Sequence, residues 1–315
     1  VKLIIQIPCY NEAATLATTL DDLPASIPGV DSIEVLIIDD GSTDDTVRVA
    51  REWGAHHVVS HVGNKGLATA FMTGLATSLS LGADIIVNTD ADNQYKATHI
   101  PLLVGPILRR EAEIVIGARP IGDIEHFSPL KKALQKLGSA VVRWVSDTNV
   151  TDAPSGFRAL SRQAAMQINV FSQYTYTLET IIQAGAKNIP VVSVPIGTNA
   201  DLRPSRLVKS LRSYVRRSVA TMGHVFVIYR PFRFLGVIAG ILLVAGALLG
   251  ARYLYFVMIG EGKGHVQSVI LAGVLLLMGF NTLSLAVIAN LISVNRRLIE
   301  DVQVHLRELR LSKPG

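Results

Sequence analysis

Near the C-terminus of this 315-residue chain, residues 234–258 and 266–294 are almost wholly apolar, and they limit more than any other feature what the chain can become. Each exceeds the roughly 20 residues a helix needs to cross the hydrocarbon core of a bilayer. Within that core only a helix or a closed barrel satisfies its own backbone polar groups. The sequence therefore predicts a transmembrane hairpin over residues 233–295, turned by the short connector 259–265. Arg252 is the charge inside the first stretch, about two turns from the outer end, where its long stem can carry the guanidinium to the interface. Arg230 and Arg233 precede the first span, and Arg296 and Arg297 follow the second. By the positive-inside rule both flanks lie in the cytoplasm, including the basic tail 296–315. The expectation is a cell-membrane protein with two spans and both termini cytoplasmic. Gly273, Gly279, Asn281 and Ser284 are small or polar positions where spans can pack closely.

Upstream, apolar runs of strand length alternate with helical segments. Residues 3–7 read as a buried strand that breaks at Pro8, with Asn11 as the N-cap of the next helix. Residues 34–40 form a second strand, running into a turn at 41–46 that caps another helix. Then come residues 56–59, the loop 63–66, a helix from about Leu67 to Leu81, and a strand ending at Asp90. This alternation predicts an α/β fold, a parallel sheet with helices on both faces. Its strand ends gather Pro8, Tyr10, Glu12, Asp39, Asp40, Lys65 and Asp90 at one rim. The single cysteine, Cys9, excludes an internal disulfide and reads as a small packing residue. No cleavable signal is expected ahead of the first strand.

At that rim, residues 88–94 carry Asp90, Asp92 and Gln94 at alternate positions. Ligands bind at the carboxyl ends of parallel strands. A divalent ion such as Mg²⁺ takes a few carboxylate oxygens and completes its shell with substrate phosphates and water. An Asp-x-Asp triplet alone is a weak sign and gains force only beside a nucleotide site. Asp39 and Asp40 read either as ligand contacts or as caps of the turn that follows. Asp44 and Asp45 read as helix-start carboxylates that complement the dipole. Lys65 is either a phosphate or ribose contact or a solvated loop charge. His56, His57 and His61 are too irregularly spaced for a zinc site and read as surface or strand positions.

The net charge of +5 is unevenly placed: residues 1–100 hold 13 acidic and 5 basic side chains, leaving 12 acidic and 25 basic for residues 101–315. The basic part interleaves with apolar stripes and forms no nucleic-acid module. Leu134, Leu137, Val141, Trp144 and Val145 share one helical face within 128–146, with Lys131, Lys132, Lys136 and Arg143 elsewhere. From Leu207 a second segment behaves likewise. Helices of this kind lie in the headgroup plane or pack on the domain's own core, and their place ahead of a hairpin favours the interface.

Taken in order, Pro8-x-Tyr10-Asn11-Glu12, Asp39-Asp40-Gly41-Ser42-x-Asp44, Asn64-x-Gly66 and Asp90-Ala91-Asp92-x-Gln94 resemble the family 2 glycosyltransferases of the GT-A fold. Asp152-Ala153-Pro154-Ser155-Gly156-Phe157-Arg158 and Arg203-Pro204-Ser205-Arg206-Leu207 are similar to the polyprenyl-phosphate members, which include dolichyl-phosphate mannose synthases and two-span bacterial glucosyl-carrier synthases. The resemblance covers residues 1 to about 230. It implies a GT-A catalytic domain over 1–200 with an interface helix inserted at 128–146, and an acceptor loop and second interface helix over 201–232.

The implied reaction moves one sugar from a nucleotide sugar to polyprenyl phosphate with inversion, using Mg²⁺ or Mn²⁺ held by Asp90, Asp92 and Gln94. Pro8, Tyr10, Glu12, Asp39, Asp40, Lys65, Asp90 and Ala91 would bind the donor, a UDP-sugar such as UDP-glucose ahead of a GDP-sugar. Arg119, Lys132, Arg203, Ser205 and Arg206 would bind the acceptor phosphate, with Arg203 also counted among the catalytic residues. Asp152 orients sugar or acceptor rather than acting as a base, and Arg158 is a structural partner for one of the carboxylates. The alternatives are a GDP-mannose enzyme, transfer to another lipid-linked acceptor with Asp152 as base, and an inactive scaffold. The Gln-x-x-Arg-Trp motif of processive synthases is absent. A homotetramer follows by analogy.

Overall fold

A continuous apolar strand needs cover on both faces, and β1 (Lys2–Cys9) has it. In the computed structural model, which describes residues 1–120, 138–144, 146–170, 176–199, 223 and 231–312, β1 lies between β2 (Ser32–Asp39) and β4 (Ile85–Asn88). With β3 (His57–Ser60), β5 (Ile114–Ala118), β6 (Arg158–Ser161) and β7 (Val191–Pro195), the strands form one sheet in the order β3-β2-β1-β4-β6-β5-β7. All run parallel except β6, which is antiparallel to both neighbours. The reversal brings the first residues of β6 to the rim where the other strands end.

Pro8 does not break β1. Asp40 N–H donates to the Cys9 carbonyl on the β2 side, and Thr89 N–H donates to the Gln6 carbonyl on the β4 side. The missing N–H of Pro8 therefore faces β4 just beyond their last pair, Gln6 with Asn88. Proline ends the β1–β4 ladder, not the strand. For the same reason β4 stops at Asn88 rather than Asp90.

One face of the sheet is covered by α1 (Ala13–Asp21), α2 (Thr46–Trp53) and α4 (Ile100–Leu108). There Leu3, Ile5, Ile7 and Cys9 share a buried core with Leu16, Leu20, Ile100 and Leu103. Each such aliphatic side chain stabilises the fold by roughly 1.5–3 kcal/mol. The other face carries α3 (Leu67–Ser80), α6 (Arg162–Gln167) and α7 (Thr177–Ala186), α5 being the short helical stretch 138–144. Gly74 lets α3 approach closely, since a Cβ there would lie 2.6 Å from Gln6 Oε1. Tyr176 stacks on Phe71 with ring centres 3.9 Å apart.

The chain divides into two compact units, Val1–Met222 with Gln303–Gly315, and Gly223–Val302. The second holds α8 (Pro231–Met258), a 3₁₀ turn at Gly262–His265 and most of α9 (Val266–Ser312). Both helices are long and apolar enough to cross a membrane, and side chains such as Ile241, Leu248, Leu277 and Phe280 are exposed.

Of the four positions expected to bring the spans together, Gly279 does so: a Cβ there would meet Leu243 at 2.7 Å. Gly246, on the facing helix, does the same against Leu276 at 2.9 Å. Gly273 faces open space, while Asn281 and Ser284 donate to the carbonyls of Leu277 and Phe280 in their own helix, each at 3.0 Å. Arg252 sits 5.7 Å from the ring centre of Phe256, which stacks on His265 of the connector. Helix α9 continues past the predicted span through residues read as a tail. Its last part belongs to the first unit, where Arg307 donates to the Met166 carbonyl at 2.9 Å.

Candidate active site

The loops that leave β1 and β2 hold one another. Asn11 is not the cap of α1; it takes a left-handed φ of 56°. Its Oδ1 accepts the Thr43 N–H at 2.8 Å and its own N–H donates to Ser42 Oγ at 2.9 Å. The amides at the start of α1, which need partners, find them across the gap. Glu12 N–H donates to Thr46 Oγ1 at 2.8 Å, and Ala13 N–H donates to Asp44 Oδ2 at 3.2 Å. Asp44 also accepts the Thr46 N–H at 3.0 Å at the head of α2. Burial pulls the Asp44 carboxyl up, but these hydrogen bonds outweigh it and hold the group below its usual range. Asp39 is buried and accepts the Ser42 N–H at 2.9 Å. Tyr10 is exposed, and Glu12, half-buried, accepts the Thr15 hydroxyl at 3.2 Å.

Asp40 is turned to a different task from its neighbour. Its Oδ1 accepts the Lys65 N–H at 2.9 Å and faces His61 Nδ1 at 2.7 Å, while Oδ2 accepts the Gly66 N–H at 2.8 Å. Gly41, at φ 73°, is needed beside it because a Cβ would meet Gly63 at 2.5 Å. His61 is thus no surface histidine. Its Nε2 reaches Thr73 Oγ1 on α3 at 3.0 Å and its side chain is 7% exposed. His56 is exposed and its Nδ1 accepts the Val35 N–H; His57 lies in β3, against Glu34 at 2.8 Å. Lys65 is exposed.

Asp90 and Asp92 follow β4 in a loop fastened from several sides. The Ala91 carbonyl accepts the hydroxyls of Thr15 and Thr19 at 2.8 and 3.0 Å, and Asp92 Oδ1 accepts the Gln94 N–H at 3.2 Å. Asn199 donates to the Asn93 carbonyl at 2.9 Å. Beneath Asp90, Gln6 donates to Asn88 Oδ1 at 2.9 Å, and Asn88 donates to the Gly156 carbonyl and to Tyr176 Oη, both at 2.9 Å. A Cβ on Gly156 would lie 3.1 and 3.2 Å from the two Asp90 oxygens. Those oxygens take no hydrogen bond or ion pair among the described residues. Burial first, and Asp92 second, push the Asp90 carboxyl up to about 7, against the pull of Arg119.

Arg119 follows β5 and pairs with Asp152 in a two-pronged bridge, Nε to Oδ2 at 2.7 Å and Nη2 to Oδ1 at 3.1 Å. The side chains are 10% and 1% exposed, and Arg119 lies 5.9 Å from the Tyr95 ring centre. Tyr95 Oη accepts the Gly156 N–H at 3.0 Å. Arg158 partners no carboxylate by hydrogen bond among the described residues. It donates to the carbonyls of Ser155 and Ala153, both at 2.8 Å, and to Thr180. It braces the 152–157 loop from within, and burial lowers its pKa to about 10.

Topology therefore brings Pro8, Tyr10, Glu12, Asp39, Asp40, Lys65, Asp90, Ala91, Asp92, Gln94, Arg119 and Asp152 to one rim. Lys132, Arg203, Ser205 and Arg206 lie outside the described residues, as do the second amphipathic segment from Leu207 and all of the first except 138–144 and 146. Asn88, Tyr95, Gly156, Tyr176 and His61 carry the site without having been singled out for it. Asn88 and Gln6 had a readable sign: an amide inside a buried apolar strand must find a partner.

The sequence pattern described as Glycosyl transferase family 2 matches residues 4–168. The UDP-N-acetylglucosamine–dolichyl-phosphate N-acetylglucosaminyltransferase of Methanococcus voltae is 30% identical over 214 residues, 61% of this chain and 83% of that protein. The undecaprenyl-phosphate mannosyltransferase of Micrococcus luteus is 29% identical over 206 residues, 62% of this chain and 82% of that protein. Among solved structures, glucosyl-3-phosphoglycerate synthase from Mycobacterium tuberculosis in complex with Mn²⁺ and UDP-glucose superposes with a TM-score of 0.55 at 26% identity, over 71% of this chain and 78% of that one. With its GT-A sheet, its rim of acidic loops and a match across half its length, the chain belongs to glycosyl transferase family 2 and is a glycosyltransferase.

Proposed function

We propose that the enzyme moves one sugar from a nucleotide donor, a UDP-hexose such as UDP-glucose ahead of GDP-mannose, to polyprenyl phosphate on the cytoplasmic leaflet. The observation that carries this reading is Asp90, without a hydrogen-bond donor among the described residues and set beside Asp92, in a chain that also has two helices long enough to span a membrane. Relatives that act on dolichyl and undecaprenyl phosphates support the acceptor class.

The donor set fits a hard divalent ion such as Mg²⁺ or Mn²⁺. Carboxylates at Asp90 and Asp92 and the amide of Gln94 are its preferred chemistry, and glycine at 156 leaves space beside the Asp90 oxygens that a Cβ would fill. When bound, the ion supplies neutralisation of the charge on the departing nucleoside diphosphate. Asp39, Tyr10 and Glu12 would hold base and ribose.

A phosphate monoester is largely ionised at neutral pH, its second pKa being about 6, so the acceptor oxygen needs no base to activate it. Both oxygens of Asp152 are engaged by Arg119. Its proposed task is to aim that guanidinium at the lipid phosphate, alongside Lys132, Arg203, Ser205 and Arg206. Exposed Val141 and Trp144 on α5 support contact with the bilayer surface, where an amphipathic ring is favoured.

The test is a panel of UDP-glucose, UDP-N-acetylglucosamine, UDP-galactose and GDP-mannose, each offered with short polyprenyl phosphate and with the corresponding free polyprenol. One donor should react with the phosphate alone. Equal transfer to polyprenol would refute an anionic acceptor.

A further inference from the structure

We propose that His61 and Thr73 are positioning residues for nucleotide binding, acting through Asp40 on the loop that presents Lys65; this rests on the donor-site reading above. Among the described residues the Asp40 carboxylate has three partners: the amides of Lys65 and Gly66 and the ring of His61. Both of its oxygens are engaged by these groups, so it serves the loop rather than the ligand.

The two amides it accepts lie at the head of α3, where Gly66 provides no side-chain cap. Asp40 thereby acts as a cap supplied from another loop. The Lys65 carbonyl is fixed as well, accepting Thr69 Oγ1 at 3.0 Å. The residue is pinned through both backbone groups while its side chain is exposed.

His61 completes the arrangement. With Nδ1 2.7 Å from Asp40 and Nε2 3.0 Å from Thr73 Oγ1, the ring donates to the carboxylate through Nδ1 and meets the threonine hydroxyl through Nε2. Its backbone N–H donates to the Asp39 carbonyl at 2.9 Å. A nearly buried carboxylate needs such donors to stay in place, and His61 links it to the second turn of α3. The chain Thr73–His61–Asp40 thus sets where Lys65 stands relative to Asp39.

The experiment uses the full chain in detergent with Mn²⁺ and compares wild type, His61→Leu, His61→Gln and Thr73→Val. Titration with UDP and, separately, GDP reads the donor site; hydrogen exchange reads the Lys65 and Gly66 amides. His61→Leu should weaken binding of the preferred nucleotide about tenfold, the effect of one lost charge-assisted hydrogen bond. It should also speed exchange at the Lys65 and Gly66 amides, with turnover at saturating donor little changed. His61→Gln, which keeps a donor and an acceptor, should recover most of the loss. Thr73→Val removes only the outer link, should weaken binding less, and carries the test if His61→Leu does not fold. A lowered melting temperature with unchanged nucleotide affinity and unchanged exchange at those two amides would overturn the inference alone. Failure of wild type to bind either nucleotide would overturn the donor-site reading and the inference with it.

Discussion

On the β1–β3 side of the rim, loops hold one another by side-chain to backbone hydrogen bonds at largely solvent-accessible positions, as Asn11 does with Thr43 and Asp44 with Ala13. On the β4–β6 side the same rim is built from buried and half-buried charges and rings: Arg119 with Asp152, Arg158 above Tyr176, and Asp90 against Gly156. The difference is one of dielectric. Water moderates contacts such as those of Asn11 and Asp44 in the first half, the buried Asp40–His61 pair apart, whereas in the second every unmatched charge carries a large penalty. Substitutions should therefore tune the first half and break the second.

The sharpest way to break the comparison is Asp152→Asn. It leaves Arg119 buried with its partner's charge gone, and the expected cost is about 3–5 kcal/mol of stability, read by thermal denaturation. A variant that melts like wild type yet lacks all turnover would instead make Asp152 a base.

Asp90→Asn should cut kcat by about 10²–10³-fold while raising, not lowering, the stability of the metal-free enzyme. The sign follows from linkage. A carboxyl whose pKa is raised by folding contributes stability below its unfolded value of 3.8 that is lost as pH rises through about 7. Asparagine has nothing to lose, so in EDTA the variant should out-melt wild type at pH 8 and not at pH 4. Equal melting at pH 8 would show that Asp90 is compensated by a partner.

Gly156→Ala puts a methyl 2.9 Å from Tyr176 Oη and 3.1 Å from Asp90. Displacement of that carboxylate should lower kcat by up to about 10²-fold, with nucleotide affinity measured by titration nearly unchanged. Smallest is Asp44→Ala in the first half. Loss of a helix-start acceptor should cost about 1 kcal/mol, at the lower end because solvent reaches the group. A change larger than that of Asp152→Asn would reverse the contrast between the halves.

Much of the first half was legible in the sequence, because turn residues and caps act over a few positions. The first strands, the helix from about Leu67 to Leu81 and the gathering of acidic loops followed from periodicity alone. The role of Asn11 did not, since its partner Thr43 lies on another loop and the caps of α1 come from Asp44 and Thr46. The second half was legible only as a motif. Asn88 meets Tyr176 across 88 positions, and a reversed β6 delivers Gly156 to Asp90. Neither pairing leaves a local pattern to read. In the hairpin, length and apolarity predicted the spans, but which glycine faces the neighbouring helix depended on rotation about the axis. Gly279 packs against Leu243 where Gly273 faces open space.

The most direct test of the account is mass spectrometry of polyprenyl phosphate after incubation with enzyme and its preferred nucleotide sugar, with EDTA and then with Mg²⁺ or Mn²⁺ restored. The account predicts addition of a single hexose-sized unit to the lipid, abolished by chelation and recovered with metal. Undiminished transfer in EDTA, or a ladder of several added sugars, would contradict it.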